Sequence, residues 1–240
     1  MNKRLYMFPT EAESQPFRKA LPAAEVRISG VGAAETAASV AKALRDGYSD
    51  IVLAGIAGTY DETVEAGAVF VVSEERMIAA PSTFTRAYKA PKLPKGIPAA
   101  VSNTVSVCGA AAGGAVLENM EGAVFFAMCG EAGVRYCEFR AVSNRVGAPR
   151  GEWHTELAAE NLARTLMKMD SKEKFMNKTK IILWSAAVII VVALIALLAT
   201  QWRAWLTQIL TWVIVIAVSF FAGWLTGRFG GRRSSKPAKE

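Results

Sequence analysis

Five side chains stand out by type and placement. Glu11 and Glu13 follow a short apolar run, Glu118 and Glu121 lie three positions apart at the mouth of an apolar segment, and Asn144 ends a strand-like stretch. Carboxylates can orient and deprotonate water or stabilise developing positive charge, and a carboxamide both donates and accepts hydrogen bonds. Singly, each has a plainer explanation, because acids near helix starts complement the macrodipole and asparagine is a common turn residue. Only joint placement on one edge of one sheet gives them weight, and that depends on the elements that carry them.

RLYMF reads as a first strand stopped by Pro9, and EVRISGVG as a strand ending in a glycine turn. AAETAASVAKALRDG is an alanine-rich helix closed by Gly47, and DIVLAGIAG repeats the strand-to-glycine device. AGAVFVVSEERMIA supplies another strand, the proline- and lysine-rich residues 81–100 a surface loop, and AVSNTVSVCG a further strand. A helix from about Glu121 to Gly130, a strand VRYCEFRAVSN and an amphipathic helix from about Glu152 to Met169 complete the region. Alternating strands and helices predict a largely parallel sheet with helices on both faces, in three layers. In such sheets ligands bind at the carboxyl ends of the strands. The candidates collect there: Glu11 and Glu13, Gly30 and Gly32, Gly55 and Gly58, Thr104 and Asn144, with Glu121 at a helix start.

The 240 residues divide into unlike parts. Residues 1–170 read as one α/β domain and 171–180 as a basic linker, whereas residues 181–227 hold a single charge, Arg203. Spans of about 181–200 and 206–226 have the length of transmembrane helices, with Trp184, Trp202, Trp205 and Trp224 near their ends. The net charge of +7 gathers largely on either side of these spans, including a basic tail at 228–240. That pattern predicts a two-helix hairpin in the inner membrane with both ends in the cytoplasm, a lipid bilayer as partner, and no nucleic-acid surface. Cys108, Cys129 and Cys137 are odd in number and lack metal or disulfide spacing, and the N-terminus lacks the apolar core of a signal peptide. The α/β domain is therefore expected on the cytoplasmic face.

GVGAAETAASVAKAL, DIVLAGIAGTY, AGAVFVVSEER, ENMEGAVFFA and FRAVSN resemble, in order, the blocks of the purine nucleoside phosphorylase and nucleosidase superfamily. The resemblance covers about residues 3–169, is most specific in ENMEG plus VSN, and is nearest the futalosine hydrolase branch. VSFFAGWLTGRFGGRR is weakly similar to the second span of the lipopolysaccharide assembly protein A domain family.

The likeness to the nucleosidases implies a phosphorylase-like fold and roles by position. Glu13 would activate the attacking water, Met120 and Glu121 would hold the ribose, and Asn144 would contact the leaving purine. Gly30, Gly55, Ala57, Gly58 and Thr104 would complete the substrate site. The family has asparagine at the last position for 6-oxopurines and aspartate for 6-aminopurines; a carboxamide can donate to O6 and accept from protonated N7, whereas an ionised carboxylate only accepts. The implied reaction is hydrolysis of futalosine to hypoxanthine and dehypoxanthinyl futalosine, on the way to menaquinone, by a homo-oligomer, at smallest a dimer. No metal or cofactor is implied. The alternatives are a methylthioadenosine/S-adenosylhomocysteine-type nucleosidase, a purine nucleoside phosphorylase for which Arg27, Arg76 and Arg86 are the available cations, and an inactive membrane interaction protein.

Overall fold

Alternation along the first and third strands decides the layering. In β1 (Arg4–Phe8), Tyr6 and Phe8 join one apolar cluster and Leu5 and Met7 the other; in β3 (Asp50–Thr59), Val52 and Ala54 face the first, Ile51 and Leu53 the second. A period of two with both sides apolar requires cover on both faces. Phe17 of α1 (Glu11–Ala20) and Ala158, Leu162, Ala163 and Leu166 of α4 (Thr155–Gln201) cover one face. Val40 and Ala43 of α2 (Ala33–Arg45), with Phe125, Phe126 and Cys129 of α3 (Gly122–Glu131), cover the other. The helix–sheet–helix arrangement expected from the sequence is therefore present. The computed structural model describes residues 4–79, 81–201 and 203–229.

The remaining strands are β2 (Val26–Ile28), β4 (Val69–Met77), β5 (Arg86–Lys89), β6 (Ala99–Thr104), β7 (Leu117–Asn119) and β8 (Arg135–Arg145). β2–β1–β3 run parallel, and β8 joins β3 in parallel and β4 in antiparallel fashion. β4 pairs with β6, β6 with β7, and β7 returns to β3. Strands β3, β8, β4, β6 and β7 thus close into a ring, which removes free edges around its interior. The sheet is mixed, not largely parallel as expected, because the short β7 reverses onto the end of β3 and β5 folds back on β4.

Two further expectations are corrected. Residues 81–100 are not merely a loop: Arg86–Lys89 pairs along Glu74–Met77 as an edge strand, its exposed lysine and arginine hiding the edge signal in the sequence. The last helix does not stop near Met169 but continues as α4 to Gln201, followed by α5 (Arg203–Phe229). The polar stretch 171–180, expected as a linker, is helical throughout because it contains no proline or glycine to stop it.

Cα packing divides the chain into Met1–Asp170 and Ser171–Glu240. The transmembrane hairpin is overturned: among the described residues no helix is long and apolar enough to cross a membrane. Residues 181–200 are not set off as a span of their own but continue the helix that carries the charged stretch before them. The bilayer contact and the inner-membrane placement expected from that hairpin fall with it. Residues 230–240 of the basic tail, and Trp202, lie outside the described residues.

Candidate active site

Pro9 stops β1, and Thr10 caps α1: its hydroxyl accepts the Glu13 N–H at 3.3 Å and donates to Glu13 Oε1 at 2.7 Å. The cap turns Glu13 inward, where Oε2 accepts the Ile56 N–H of β3 at 2.9 Å. Glu13 is 7% exposed, whereas Glu11 lies at the surface against Ser14 and Arg18, so geometry separates the two acids. Burial pushes the Glu13 carboxyl above the ordinary carboxylate range; the Thr10 and Ile56 hydrogen bonds and the Arg140 charge draw it back, and Glu121 pushes it up again.

Glu121 stands at the N-cap of α3. Its Oε1 accepts the Gly32 N–H at 2.8 Å and its Oε2 pairs with Arg140 Nη2 at 3.1 Å. Each oxygen keeps a lone pair, so the carboxylate can accept two further hydroxyls. Asn119 Oδ1 holds this corner together, accepting the N–H groups of Glu121 and Gly122 at 2.8 Å each and Arg140 Nη2 at 3.1 Å.

Arg140 links the two acids. Its Nε donates to Glu138 Oε1 at 2.7 Å and its Nη1 to the Ile56 carbonyl at 3.3 Å, beside the peptide that holds Glu13. The guanidinium is wholly buried; burial opposes its charge, but Glu138 and Glu121 together raise its pKa and keep it protonated. Gly55 makes this possible: a Cβ there would lie 2.6 Å from Arg140 Nη1 and 2.9 Å from Glu13 Oε2. Gly55→Ala is therefore expected to cost roughly 1–3 kcal/mol through overpacking. A urea midpoint equal to that of the wild type would remove the close-approach argument.

β8 carries both Arg140, opposite Gly55, and Asn144, opposite Gly58. Ser143 is an extra residue on β8 relative to β3, a bulge that re-aims the side chain after it. Asn144 is 8% exposed; its Oδ1 accepts the Ser143 hydroxyl at 2.7 Å and its Nδ2 donates to the Arg145 carbonyl at 2.7 Å. A Cβ at Gly58 would approach Asn144 Nδ2 to 3.3 Å. Beyond Asn144, an open cavity of about 540 Å³ is lined by Thr59, Tyr60, Glu62, Ala110, Arg145 and Val146.

The other expected residues fall around this core. Ala57 is buried and its carbonyl accepts the Ser143 hydroxyl, Met120 is half-buried between β7 and α3, and Gly30 has φ 81° in the turn before α2. The Thr104 hydroxyl is committed to the protein interior, donating to Glu75 Oε2 at 2.6 Å and accepting the Ala123 N–H at 2.8 Å. Glu118 is occupied by the Tyr60 hydroxyl and the Gly109 and Ala110 N–H groups. Arg140, Glu138, Asn119 and Glu75 join the site without being among the residues expected from the sequence. A signal existed: Glu138 and Arg140 interrupt an apolar strand at period two, and charges on one buried face must be paired.

Residues 109–170 match the phosphorylase superfamily. A futalosine hydrolase of Thermus thermophilus is 44% identical over 61 residues, 25% of this chain and 27% of that relative, so the alignment spans about a quarter of its length. The solved futalosine hydrolase of Helicobacter pylori is similar at TM-score 0.63 and 13% identity, covering 72% of this chain and 99% of that one. A 5'-methylthioadenosine/S-adenosylhomocysteine nucleosidase of the same organism, solved with butyl-thio-DADMe-Immucillin-A, is similar at 0.63 and 14%, with the same coverage. At such identities the structural likeness speaks for the fold, and the matched segment includes Asn119, Glu121, Arg140 and Asn144. Within residues 109–170 the chain is similar to the phosphorylase superfamily, and over its α/β part it shares the fold of these nucleosidases.

Proposed function

We propose that residues 1–170 form a nucleosidase that hydrolyses the N-glycosidic bond of a 6-oxopurine nucleoside, with futalosine as substrate. The observation that carries this reading is the corner built on Arg140: the buried guanidinium pairs with Glu121 and donates to the carbonyl of Ile56, whose N–H Glu13 accepts, with Asn144 four residues along the same strand. The alignment with the Thermus futalosine hydrolase supports the choice of substrate.

Cleavage of an N-glycosidic bond builds positive charge on the sugar and negative charge on the base. Glu121, with a free lone pair on each oxygen, accepts the ribose hydroxyls and stabilises the cationic sugar. Met120 packs beside it, and Gly30, Gly55, Ala57 and Gly58 leave backbone within reach of the ligand. Glu13 takes a proton from the attacking water; a carboxyl raised above its ordinary range is a stronger base than a free one. Asn144 retains one unused N–H and one unused lone pair after bonding Arg145 and Ser143, enough to donate to O6 and accept from protonated N7. Arg27 is paired with Asp46, Arg76 with Glu74, and Arg86 with the Thr83 and Thr85 carbonyls, which favours water over phosphate as the nucleophile.

The test is incubation of the full chain with futalosine and, separately, 5'-methylthioadenosine, with quantification of hypoxanthine and adenine. Hypoxanthine is the expected product; adenine alone would transfer the reading to the adenosine-type nucleosidases, and neither base would end it. Asn144→Asp is expected to lower hypoxanthine release by roughly 10²-fold or more, because the donor to O6 is lost. Undiminished release from that variant would remove Asn144 from base recognition.

A further inference from the structure

Inside the strand ring lies a second pair of acids, which the hydrolytic steps do not use. Glu75 of β4 and Glu138 of β8 are both fully buried. They meet beneath the first residue of α3: a Cβ on Gly122 would lie 2.3 Å from Glu75 Oε1 and 2.6 Å from Glu138 Oε2. Every other oxygen of the pair has a donor. Glu75 Oε2 accepts from Thr104, Glu75 Oε1 from Asn119 Nδ2 at 2.7 Å, and Glu138 Oε1 from Arg140 Nε. Glu138 Oε2 alone has none, a buried acceptor facing another carboxyl.

The charge balance explains the orphan. Around the pair stand Arg140 from β8, Glu121 at the start of α3, Thr104 and Ser102 from β6 and Asn119 from β7. Arg140 is the one cation among them, against three carboxylates. Two anions side by side without water are prohibitive, and one of them takes up a proton. A hydroxyl on Glu75 Oε1 would donate to Glu138 Oε2 while still accepting from Asn119, so every polar atom in the group is satisfied. Burial and then the Glu138 charge push the Glu75 carboxyl well above its ordinary range; burial raises Glu138 too, while the charge and hydrogen bond of Arg140 and then the hydrogen bond from Glu75 draw it back.

We propose that Glu75 and Glu138 share one proton at neutral pH, Glu75 as donor and Glu138 as anion, and that this pair positions Arg140 and through it the sugar-binding carboxylate Glu121. The shared proton stands on the geometry alone; its effect on Glu121 rests on the nucleosidase reading, and the two are measured separately.

The first measurement needs no substrate. In full-length protein carrying Glu13→Gln, which removes the raised carboxyl outside the pair, infrared spectra at neutral pH are expected to show the carbonyl stretch of a buried protonated acid, lost on adding Glu75→Gln. Absence of that band overturns the proposal even if Glu75→Gln does not fold. The second is stability against pH. A carboxyl raised in the folded state contributes stability that is complete below its unfolded value of 4.5 and is lost as pH rises through the folded value. The fall of the urea midpoint above that point is expected to be shallower in Glu75→Gln than in the wild type, and an equal slope counts against the idea.

The third is activity. Glutamine at 75 still donates to Glu138, giving up the Asn119 contact while Asn119 keeps Ser102, so kcat/KM is expected within about tenfold of wild type. Glu138→Gln removes the anion that orients Arg140 and is expected to lose at least about a hundredfold, with KM rising because Glu121 is no longer held. Equal losses from the two variants overturn the positioning role. If no nucleoside is cleaved by any form, the infrared and stability results still decide the proton.

Discussion

Glu13→Gln is expected to lower kcat/KM for nucleoside hydrolysis by about 10²–10⁴-fold, the range in which a positioned general base contributes. Glutamine is nearly the same size and its amide oxygen can still accept the Ile56 N–H, so the fold should persist while the proton acceptor is gone. The pH profile gives the same residue a second signature. A base acts only when ionised, and burial raises the Glu13 carboxyl above the ordinary glutamate value of 4.5, so activity should fall as pH drops through that raised value, earlier than an exposed glutamate would allow. Undiminished hydrolysis by the variant, or an acid limb lying at or below 4.5, would remove Glu13 from the chemistry.

The second large effect is on stability. Replacing Arg140 by methionine keeps much of the volume but leaves Glu121 and Glu138 buried without their cation, and breaking such a pair from one side costs about 3–5 kcal/mol. Arg140→Lys is not expected to restore it. One ammonium cannot reach Glu138, Glu121, Asn119 and the Ile56 carbonyl together, as the forked guanidinium does. Urea denaturation of both variants measures this directly; a loss below about 1 kcal/mol for the methionine variant would mean that the surrounding acids discharge by protonation at little cost.

Much of this architecture was legible from the chain. The strands RLYMF and DIVLAGIAG and the helix after Gly32 were readable because local pattern and tertiary burial agree there. β5 and β7 were not, because an exposed RAYK and a three-residue LEN carry no periodicity of their own and exist through pairing with β4, β3 and β6. The run 181–200 has the uncharged length of a membrane span only when taken apart from the charged helical turns it continues. Within the site, Glu13 and Glu121 were visible as acids at helix starts, whereas Arg140 was hidden inside an apolar strand. Its importance comes from partners at positions 56, 119, 121 and 138, a convergence that appears only on folding.

The single extra residue at Ser143 has a consequence for how this domain can change. It sets the phase between Arg140 and Asn144, so that each meets a glycine on the neighbouring strand. Deleting it would carry Asn144 half a pleat around, out of its cleft, while Arg140 stayed in place. On the proposed reading, a change of nucleobase preference is expected to proceed by exchange at position 144 itself, because the bulge behind it sets where that side chain points.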